Sequence, residues 1–160
     1  MSHHVHGKEQ FKPNTTVAAV ISHQDKFLLV EEVDNGVTVY NQPAGHIEAQ
    51  EDLIGAIKRE VTEETGLDVT PEYLSGIYYF HRPFNHDNID LYFLRFCFVV
   101  HLDSFAQTSP QDDDIVACHW FTLEEIKAME NQLRSPMVLE CIEDYLAGNK
   151  IALNTLKSNL

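Results

Sequence analysis

The 160-residue sequence predicts an α+β fold in which helices pack in layers against a mixed β-sheet. Three observations lead to this prediction. β-rich runs dominate the first two thirds of the chain, one amphipathic helix is embedded among them, and further helical patterns follow near the end. The hydrophobic fraction of 44% and the charged fraction of 22% are ordinary for a globular protein, and the length suffices for one domain with its own core.

Strands and turns alternate in the first part of the sequence. Residues 15–31 combine two β-rich runs around a short polar turn at 23–25, which predicts a hairpin. Asp34-Asn35-Gly36 is a turn signal, and residues 37–42 continue as a strand until Pro43 interrupts the pattern.

One helix is predicted over residues 51–65, with Gly66 as its C-terminal glycine. Apolar side chains recur at helical spacing and predict its buried stripe, which consists of Leu53, Ile54, Ile57 and Val61.

The second half of the chain adds strands and two shorter helices. The strands are predicted at 73–81, 89–102 and 115–121. Thr122 and Glu125 form a capping box that opens a short helix. Ser135 before Pro136 opens a last helix, which is predicted to end near Gly148.

The net charge of −14 limits the classes of partner. A surface this acidic disfavours nucleic acid and anionic membranes, and a phosphate-bearing ligand would need help from a cation. Cys97, Cys118 and Cys141 form an odd set without CxxC spacing, which predicts free thiols in a reducing compartment. No apolar run approaches the length of a membrane span, and the N-terminus lacks the apolar core of a signal peptide, so we expect a cytoplasmic protein.

The domain prediction has three parts. Residues 1–10 are predicted to be a disordered tail, in which His3, His4 and His6 offer at most adventitious metal binding. Residues 11–153 are predicted to form the domain, and residues 154–160 a C-terminal tail.

An acidic helix face is the strongest chemical signal. Glu60, Glu63 and Glu64 are three and four residues apart and share one face, roughly opposite the apolar stripe and therefore expected outside the core. These carboxylates repel one another, so a pKa should rise unless a cation lies among them, and hard carboxylate oxygens suit Mg²⁺ or Mn²⁺. The alternative is a solvated face on which Lys58 and Arg59 make surface ion pairs.

The spacing around this face resembles the signature box of the Nudix hydrolase family. Gly45 is followed after five residues by Glu51 and after seven more by the run RE-V-T-EE-T-G-L at 59–67. All seven fixed identities and both aliphatic positions of the family pattern are present, which makes a chance match improbable.

The resemblance implies a fold and a reaction. Nudix domains are α/β/α sandwiches around a mixed sheet. They use Mg²⁺ or Mn²⁺ to hydrolyse nucleoside diphosphates linked to other moieties and related diphosphates, with water attacking phosphorus. The implied partner is a small-molecule diphosphate or nucleotide substrate, with no nucleic acid or membrane, in a monomer or a homodimer.

The resemblance also implies roles for the box residues. Glu60 and Glu64 are expected to bind the metal, and Glu63 is either a further ligand or the residue that polarises the attacking water. The Gly45 carbonyl is expected as an additional ligand. Arg59 is expected to act in catalysis by orienting a glutamate through an ion pair, and its partner is either Glu51 or Glu60.

A catalytic carboxylate outside the helix is a further expectation. Members of the family differ in which carboxylate is the base, and Asp112, Asp113 and Asp114 come just before the predicted strand at 115–121. We select Asp114, with a merely solubilising acidic loop as the alternative.

Four residues are candidates for substrate binding. Tyr40 and Gln42 alternate onto one face of their strand, where both are expected to approach an aromatic ring, and His46 adjoins Gly45 near the diphosphate. Arg95, within an apolar strand, either faces the site and binds phosphate or pairs with a carboxylate of the neighbouring layer.

Other side chains could extend the substrate site, although core packing and surface roles are the alternatives. They are Tyr78, Phe80, Phe84 and Arg134.

The resemblance extends from residue 11 to about residue 153 and is strongest to one bacterial branch of the family. Its members remove phosphate from hydroxymethylpyrimidine diphosphate, thiamine diphosphate and nucleoside di- and triphosphates. The alternatives are a general nucleoside triphosphate pyrophosphatase and a non-catalytic ligand sensor with a Nudix fold.

Overall fold

The structure is a computed structural model and describes residues 10–82 and 90–160. Residues 1–9 of the predicted tail, with their histidines, lie outside the described residues, and so does Phe84.

The N-terminal part forms the predicted hairpin and two further strands. Their bounds are Asn14–His23 for β1, Lys26–Asp34 for β2, Val37–Asn41 for β3 and Ala44–His46 for β4. The sequence pattern predicted the first three. It missed β4 because this strand has only three residues, lies directly after Pro43 and contains a glycine.

The rest of the chain supplies the helices and the remaining strands. The bounds are Leu53–Thr65 for α1, Tyr73–Arg82 for β5, Leu91–His101 for β6, Ile115–Thr122 for β7, Leu123–Ala128 for α2, Met137–Leu146 for α3 and Ile151–Ala152 for β8. Short 3₁₀ turns follow α2 and β8. The capping box at the start of α2 is confirmed, since the side chains of Thr122 and Glu125 each accept the other's backbone N–H.

The strands form one mixed sheet in the order β3-β2-β1-β6-β5-β8, with β4 paired to β1 and β7 paired to β2. Strands β1 and β6 are parallel, and the other pairs are antiparallel. The β1–β2 hairpin is paired at Ser22↔Phe27 and His23↔Lys26, next to its turn. Farther from the turn, β4 occupies the edge of β1, so the sheet divides there.

Two hydrophobic clusters cover opposite faces of the sheet. Alternate residues of β1 belong to different clusters, with Val17 on the α1 side and Ala18 on the α3 side. On the α1 side the packing continues to Leu156, beyond the predicted domain boundary at residue 153. Helices on both faces of a mixed sheet confirm the predicted α+β class.

Helix α1 begins and ends at well-defined caps. Asp52 accepts a hydrogen bond from the Gly55 N–H, and Gly66 adopts the left-handed conformation at φ 76° while its N–H bonds to the Thr62 carbonyl. The predicted end at residue 65 is confirmed. The helix begins two residues later than predicted because Glu51 lies outside it, bonded to Arg59.

One expectation about α1 is wrong. Glu60 and Glu64 were expected outside the core, yet both are buried, with exposures of 8% and 5%. The reason is that α1 packs against two elements, the sheet core through Ile57 and Val61 and the short strand β4 through its acidic face.

The last helix begins slightly later than predicted. Its N-cap is Pro136 and not the predicted Ser135, although the Ser135 hydroxyl accepts the Met137 N–H. The cysteines are free thiols, as predicted. Among the described residues, no helix has both the length and the apolar character that crossing a membrane requires.

Candidate active site

A cavity of about 610 Å³ opens where the sheet divides. One part of its lining is acidic and consists of Glu32, Glu48, Glu60, Glu63, Glu64, Asp112 and Asp114. The other charged lining residues are Arg59, Arg82, Arg95 and Arg134, which are all of the arginines in the chain. In a protein with a net charge of −14, this concentration of arginine at one acidic cavity indicates a binding site for anionic groups.

Gly45 allows the acidic helix to approach β4. A Cβ atom built on Gly45 would overlap the carboxyl group of Glu60, so a larger residue at this position would displace that carboxyl group. Its neighbour Ala44 donates its backbone N–H to Glu64 Oε1 at 2.9 Å. The short strand therefore lies against both buried carboxylates and donates a backbone N–H to Glu64.

Arg59 joins the carboxylates around the helix. Its Nε lies 2.6 Å from Glu51 Oε2, and its Nη1 lies 2.8 Å from Glu60 Oε1 and 3.3 Å from Glu63 Oε2. Its Nη2 also donates to the His46 carbonyl at 3.0 Å. The sequence left Glu51 and Glu60 as alternative partners, and the structure pairs Arg59 with both.

Burial dominates the ionisation of the two inner carboxyls. It raises the pKa of Glu64 to about 9, and the nearby charges of Glu32, Glu60 and Asp112 add to the rise. Burial also raises the pKa of Glu60, although the Arg59 guanidinium opposes this effect. By contrast, the hydrogen bond from Arg59 lowers the pKa of Glu51. The sequence-based expectation of a raised pKa on this helix is confirmed in direction.

The donor set of the cavity fits a divalent cation. Glu60, Glu63 and Glu64 all line the cavity, Glu60 lies against Gly45, and charges on these carboxylates repel one another. In the part of the chain that the structure describes, no three potential ligands already converge on one point. Glu60 accepts a hydrogen bond from Arg59, and Glu64 accepts one from the Ala44 N–H, each through Oε1.

The metal-free protein should become less stable as the pH rises from about 4.5 toward 9. Glu64 has its ordinary pKa of 4.5 in the unfolded chain and about 9 in the folded one, so between these values the unfolded chain has already released the proton that the fold retains. A difference of one bound proton between the folded and unfolded chain makes the free energy of unfolding fall by at most about 1.4 kcal/mol for each unit that the pH rises. Thermal unfolding in EDTA at several pH values measures the decline.

The control for this prediction is Glu64→Gln, in which the decline should be smaller because the amide does not titrate. Mg²⁺ should also reduce the decline, since a cation binds the ionised carboxylate. An identical pH dependence in the wild type and in Glu64→Gln would contradict the assignment to Glu64.

The loop before β7 is bonded to the end of α1. The backbone N–H groups of Gln111 and Asp112 donate to the Glu63 carbonyl at 2.8 and 2.9 Å, and the Ser109 N–H donates to the Thr65 carbonyl. These bonds satisfy carbonyls at the helix end and bring Asp112 and Asp114 to the cavity. Asp113 is not part of the lining.

Two predicted substrate residues lie behind the cavity wall. Tyr40 packs on the α3 side, with its ring centroid 5.6 Å from that of Phe121. Gln42 is only 1% exposed and does not line the cavity. Neither side chain therefore lines the cavity, and the expectation that both approach a substrate ring stays a prediction.

Two other predicted substrate residues line the cavity. His46 does so at the end of β4, with its Nε2 3.2 Å from Asn14 Oδ1. Arg95 also lines the cavity, although only 5% of its surface is exposed. Its Nη2 donates to Gln42 Oε1 at 2.6 Å. Neither sequence-based alternative anticipated this amide as the partner of Arg95.

The cavity also contains side-chain pairings that the sequence did not indicate, although Arg134 and Phe80 had been named as possible extensions of the substrate site. Arg134 Nη1 donates to Glu32 Oε2 at 2.6 Å, across 102 residues of chain. Phe80 and Phe93 stack with their ring centroids 5.2 Å apart, and the Arg82 guanidinium lies 5.4 Å from the centre of the Phe93 ring. Phe80 had been named as a possible stacking surface, whereas no local signal pairs residues so distant in sequence.

Comparison with known proteins agrees with this geometry. Residues 12–141 match the family model of the NUDIX domain. The chain is 42% identical over 146 residues to the phosphatase NudJ of Escherichia coli K12, covering 91% of this chain and 92% of that protein.

Solved structures give the same result. A NUDIX hydrolase from Nitrosomonas europaea is 45% identical and superposes with a TM-score of 0.82, covering 92% of this chain and 98% of its own. The MutT protein of Methanosarcina mazei Go1 shares the fold at a TM-score of 0.70 and 24% identity, covering 89% of this chain and 100% of its own.

Proposed function

The chain belongs to the Nudix hydrolase family and is a hydrolase of phosphorus anhydrides, and on this premise we propose its substrates and the roles of its residues. The substrates are small diphosphates, namely hydroxymethylpyrimidine diphosphate, thiamine diphosphate and nucleoside di- and triphosphates. The similarity to NudJ over nearly the whole chain supports a phosphatase of this type.

The single observation that carries the proposal is the pair of buried carboxyls beside Gly45. Glu60 and Glu64 are raised in pKa mainly by burial, so they are costly to ionise in isolation. A site that holds such groups at the wall of an open cavity is suited to binding a cation and, with it, an anionic substrate.

The residues that would hold Mg²⁺ or Mn²⁺ are Glu60, Glu63 and Glu64, together with the Gly45 carbonyl. When bound there, such a cation neutralises diphosphate charge and lowers the pKa of water. Arg59 orients Glu60 and Glu63 and is itself oriented by Glu51. Because Arg59 carries the only positive charge among these side chains, it also reduces their mutual repulsion.

Hydrolysis requires a carboxylate to accept a proton from the attacking water. Glu63 is the most exposed of the three helix carboxylates, with 44% of its side chain accessible, and Asp114 lies across the cavity on the loop before β7. We assign proton acceptance to one of these two residues. His46 and Arg95 are assigned to substrate binding because both line the same cavity.

A phosphate-release screen of the purified protein tests the proposed substrates. Hydroxymethylpyrimidine diphosphate, thiamine diphosphate, nucleoside di- and triphosphates and an isoprenoid diphosphate are compared at equal concentration with Mg²⁺. We expect release from hydroxymethylpyrimidine diphosphate at a rate at least comparable to that from nucleotides.

A wide preference for a nucleoside triphosphate would instead favour the general pyrophosphatase. Tight binding of a nucleotide derivative without release of phosphate from any of these compounds would favour the ligand sensor.

A further inference from the structure

The cavity contains a buried cation that no carboxylate of the described residues neutralises at ion-pair distance. Arg95 is 5% exposed, and no carboxylate of the described residues lies within 4 Å of its guanidinium. Its side-chain partner is the neutral amide of Gln42. Removing a charge from water without a counter-charge is costly, so this position demands an explanation.

Unsatisfied hydrogen-bonding groups mark the same place. Among the described residues, the buried side-chain atoms without a hydrogen-bond partner are Arg95 Nε and Asn41 Oδ1. Both residues line the cavity. Because buried polar groups in native proteins are nearly always paired, an unpaired donor at the wall of an open cavity indicates a ligand atom that completes it.

Another arginine of this cavity, Arg134, has a charged partner, unlike Arg95. Arg134 is paired with the carboxylate of Glu32 at 2.6 Å, which neutralises its charge. Arg95 is bound at the same distance by Gln42 Oε1, and Gln42 Nε2 is anchored to the Val138 carbonyl of α3 at 2.7 Å. The amide thus orients the guanidinium and leaves its charge available.

Arg95 reaches the cavity from the opposite face of the sheet to the acidic cluster. In β1, Thr16 is paired with Arg95, whereas the next residue, Val17, is paired with Gly45. Successive residues of a strand point to opposite faces, so Gly45 adjoins α1 and Glu60 while Arg95 lies on the side of α3. A group bound at Arg95 is therefore different from the group among the carboxylates.

We propose that Arg95 is a second anion-binding subsite, which holds the phosphoryl group of the substrate that lies away from the carboxylates, and that Gln42 is its positioning residue. This inference rests on the proposed function, since it divides one diphosphate between two ends of the same cavity. The subsite restricts the substrate class to compounds with two linked phosphates and makes the monophosphate product an inhibitor.

The first test measures binding of inorganic phosphate to the full chain by isothermal titration calorimetry, in EDTA and at constant ionic strength. Neither a metal nor turnover is needed. We expect wild-type protein to bind phosphate and Arg95→Met to bind it about tenfold more weakly or worse, the typical effect of losing a hydrogen bond to a charged group. Lys127→Met makes the same change in net charge on an exposed residue of α2 and should bind like wild type.

The second test separates positioning from simple structural support. Gln42→Glu keeps the shape and the acceptor for Arg95, adds a negative charge and loses the donor to the Val138 carbonyl, whereas Gln42→Met removes both hydrogen bonds and adds no charge. If Gln42 serves to keep Arg95 charged and available, Gln42→Glu weakens phosphate binding more than Gln42→Met does. A purely structural role predicts the reverse order. Thermal unfolding establishes which variants are folded, and Arg95→Met alone decides the subsite if neither Gln42 variant folds.

The outcomes distinguish this inference from the proposed function. Absence of phosphate binding by the wild type, or equal losses in Arg95→Met and Lys127→Met, overturns the subsite even if the protein hydrolyses diphosphates. Phosphate binding that depends on Arg95, without hydrolysis of any diphosphate, supports the subsite and overturns the proposed function alone.

Discussion

Glu64→Gln is expected to lower turnover by roughly 10³-fold, the scale at which a carboxylate that supports metal and proton chemistry contributes. The substitution is nearly isosteric, and the amide oxygen can still accept the Ala44 N–H that Glu64 Oε1 accepts at 2.9 Å. The change therefore removes the negative charge and keeps the local geometry. Steady-state phosphate release with saturating Mg²⁺ measures the effect.

The turnover of Glu64→Gln should fall, but its stability should stay equal or rise. Because burial raises the pKa of Glu64 to about 9, ionising this group opposes folding in the absence of a cation. The metal-free Tm of Glu64→Gln should thus equal or exceed that of the wild type at pH 8. Glu143→Gln makes the same chemical change on an exposed face of α3 and serves as the control. Near-wild-type turnover in Glu64→Gln would remove Glu64 from the catalytic site.

Arg59→Met should reduce both stability and activity. The guanidinium bonds to the carboxylates of Glu51, Glu60 and Glu63, and its loss leaves buried acidic groups facing one another without a cation. Breaking a partly buried ion-pair network by removing one partner typically costs about 3–5 kcal/mol, and partial exposure of Arg59 places the expected cost at the lower end of that range. Urea denaturation measures the change in the free energy of unfolding.

The neighbouring residue provides the matched control. Lys58 is a cation on the same helix but is exposed, so Lys58→Met should change the free energy of unfolding by less than about 0.5 kcal/mol. Mg²⁺ should restore part of the stability lost in Arg59→Met, since a bound cation takes over some of the charge compensation. Equal effects of the two substitutions would show that Arg59 makes only a surface ion pair.

Local sequence signals predicted much of the fold. The hairpin, the end of α1 at Gly66 and the capping box of α2 each depend on residues within a few positions of one another. The spacing of the acidic helix likewise predicted which carboxylates share a face. It did not predict their burial, because that depends on contact with β4, a strand of three residues without a pattern of its own.

The side-chain contacts on the substrate side of the cavity could not be predicted from the sequence. Arg95 and Gln42 are 53 residues apart, and Arg134 and Glu32 are 102 apart, so nothing local pairs them. Strand alternation placed Tyr40 and Gln42 on one face but not the direction of that face, which the packing of α3 against the sheet determines. Arg95 was recognisable as unusual because a charge interrupts an apolar strand, although its neutral partner was not foreseeable.

We propose that the chain hydrolyses diphosphates through carboxylates of α1 that require a divalent cation, and an EDTA arm of the phosphate-release screen tests this proposal most directly. Purified protein is assayed with hydroxymethylpyrimidine diphosphate and a nucleoside diphosphate, first in EDTA and then with excess Mg²⁺ or Mn²⁺. The expected result is no release in EDTA and full recovery with either cation. Undiminished release in EDTA, or no release from any diphosphate with both cations present, would contradict the claim.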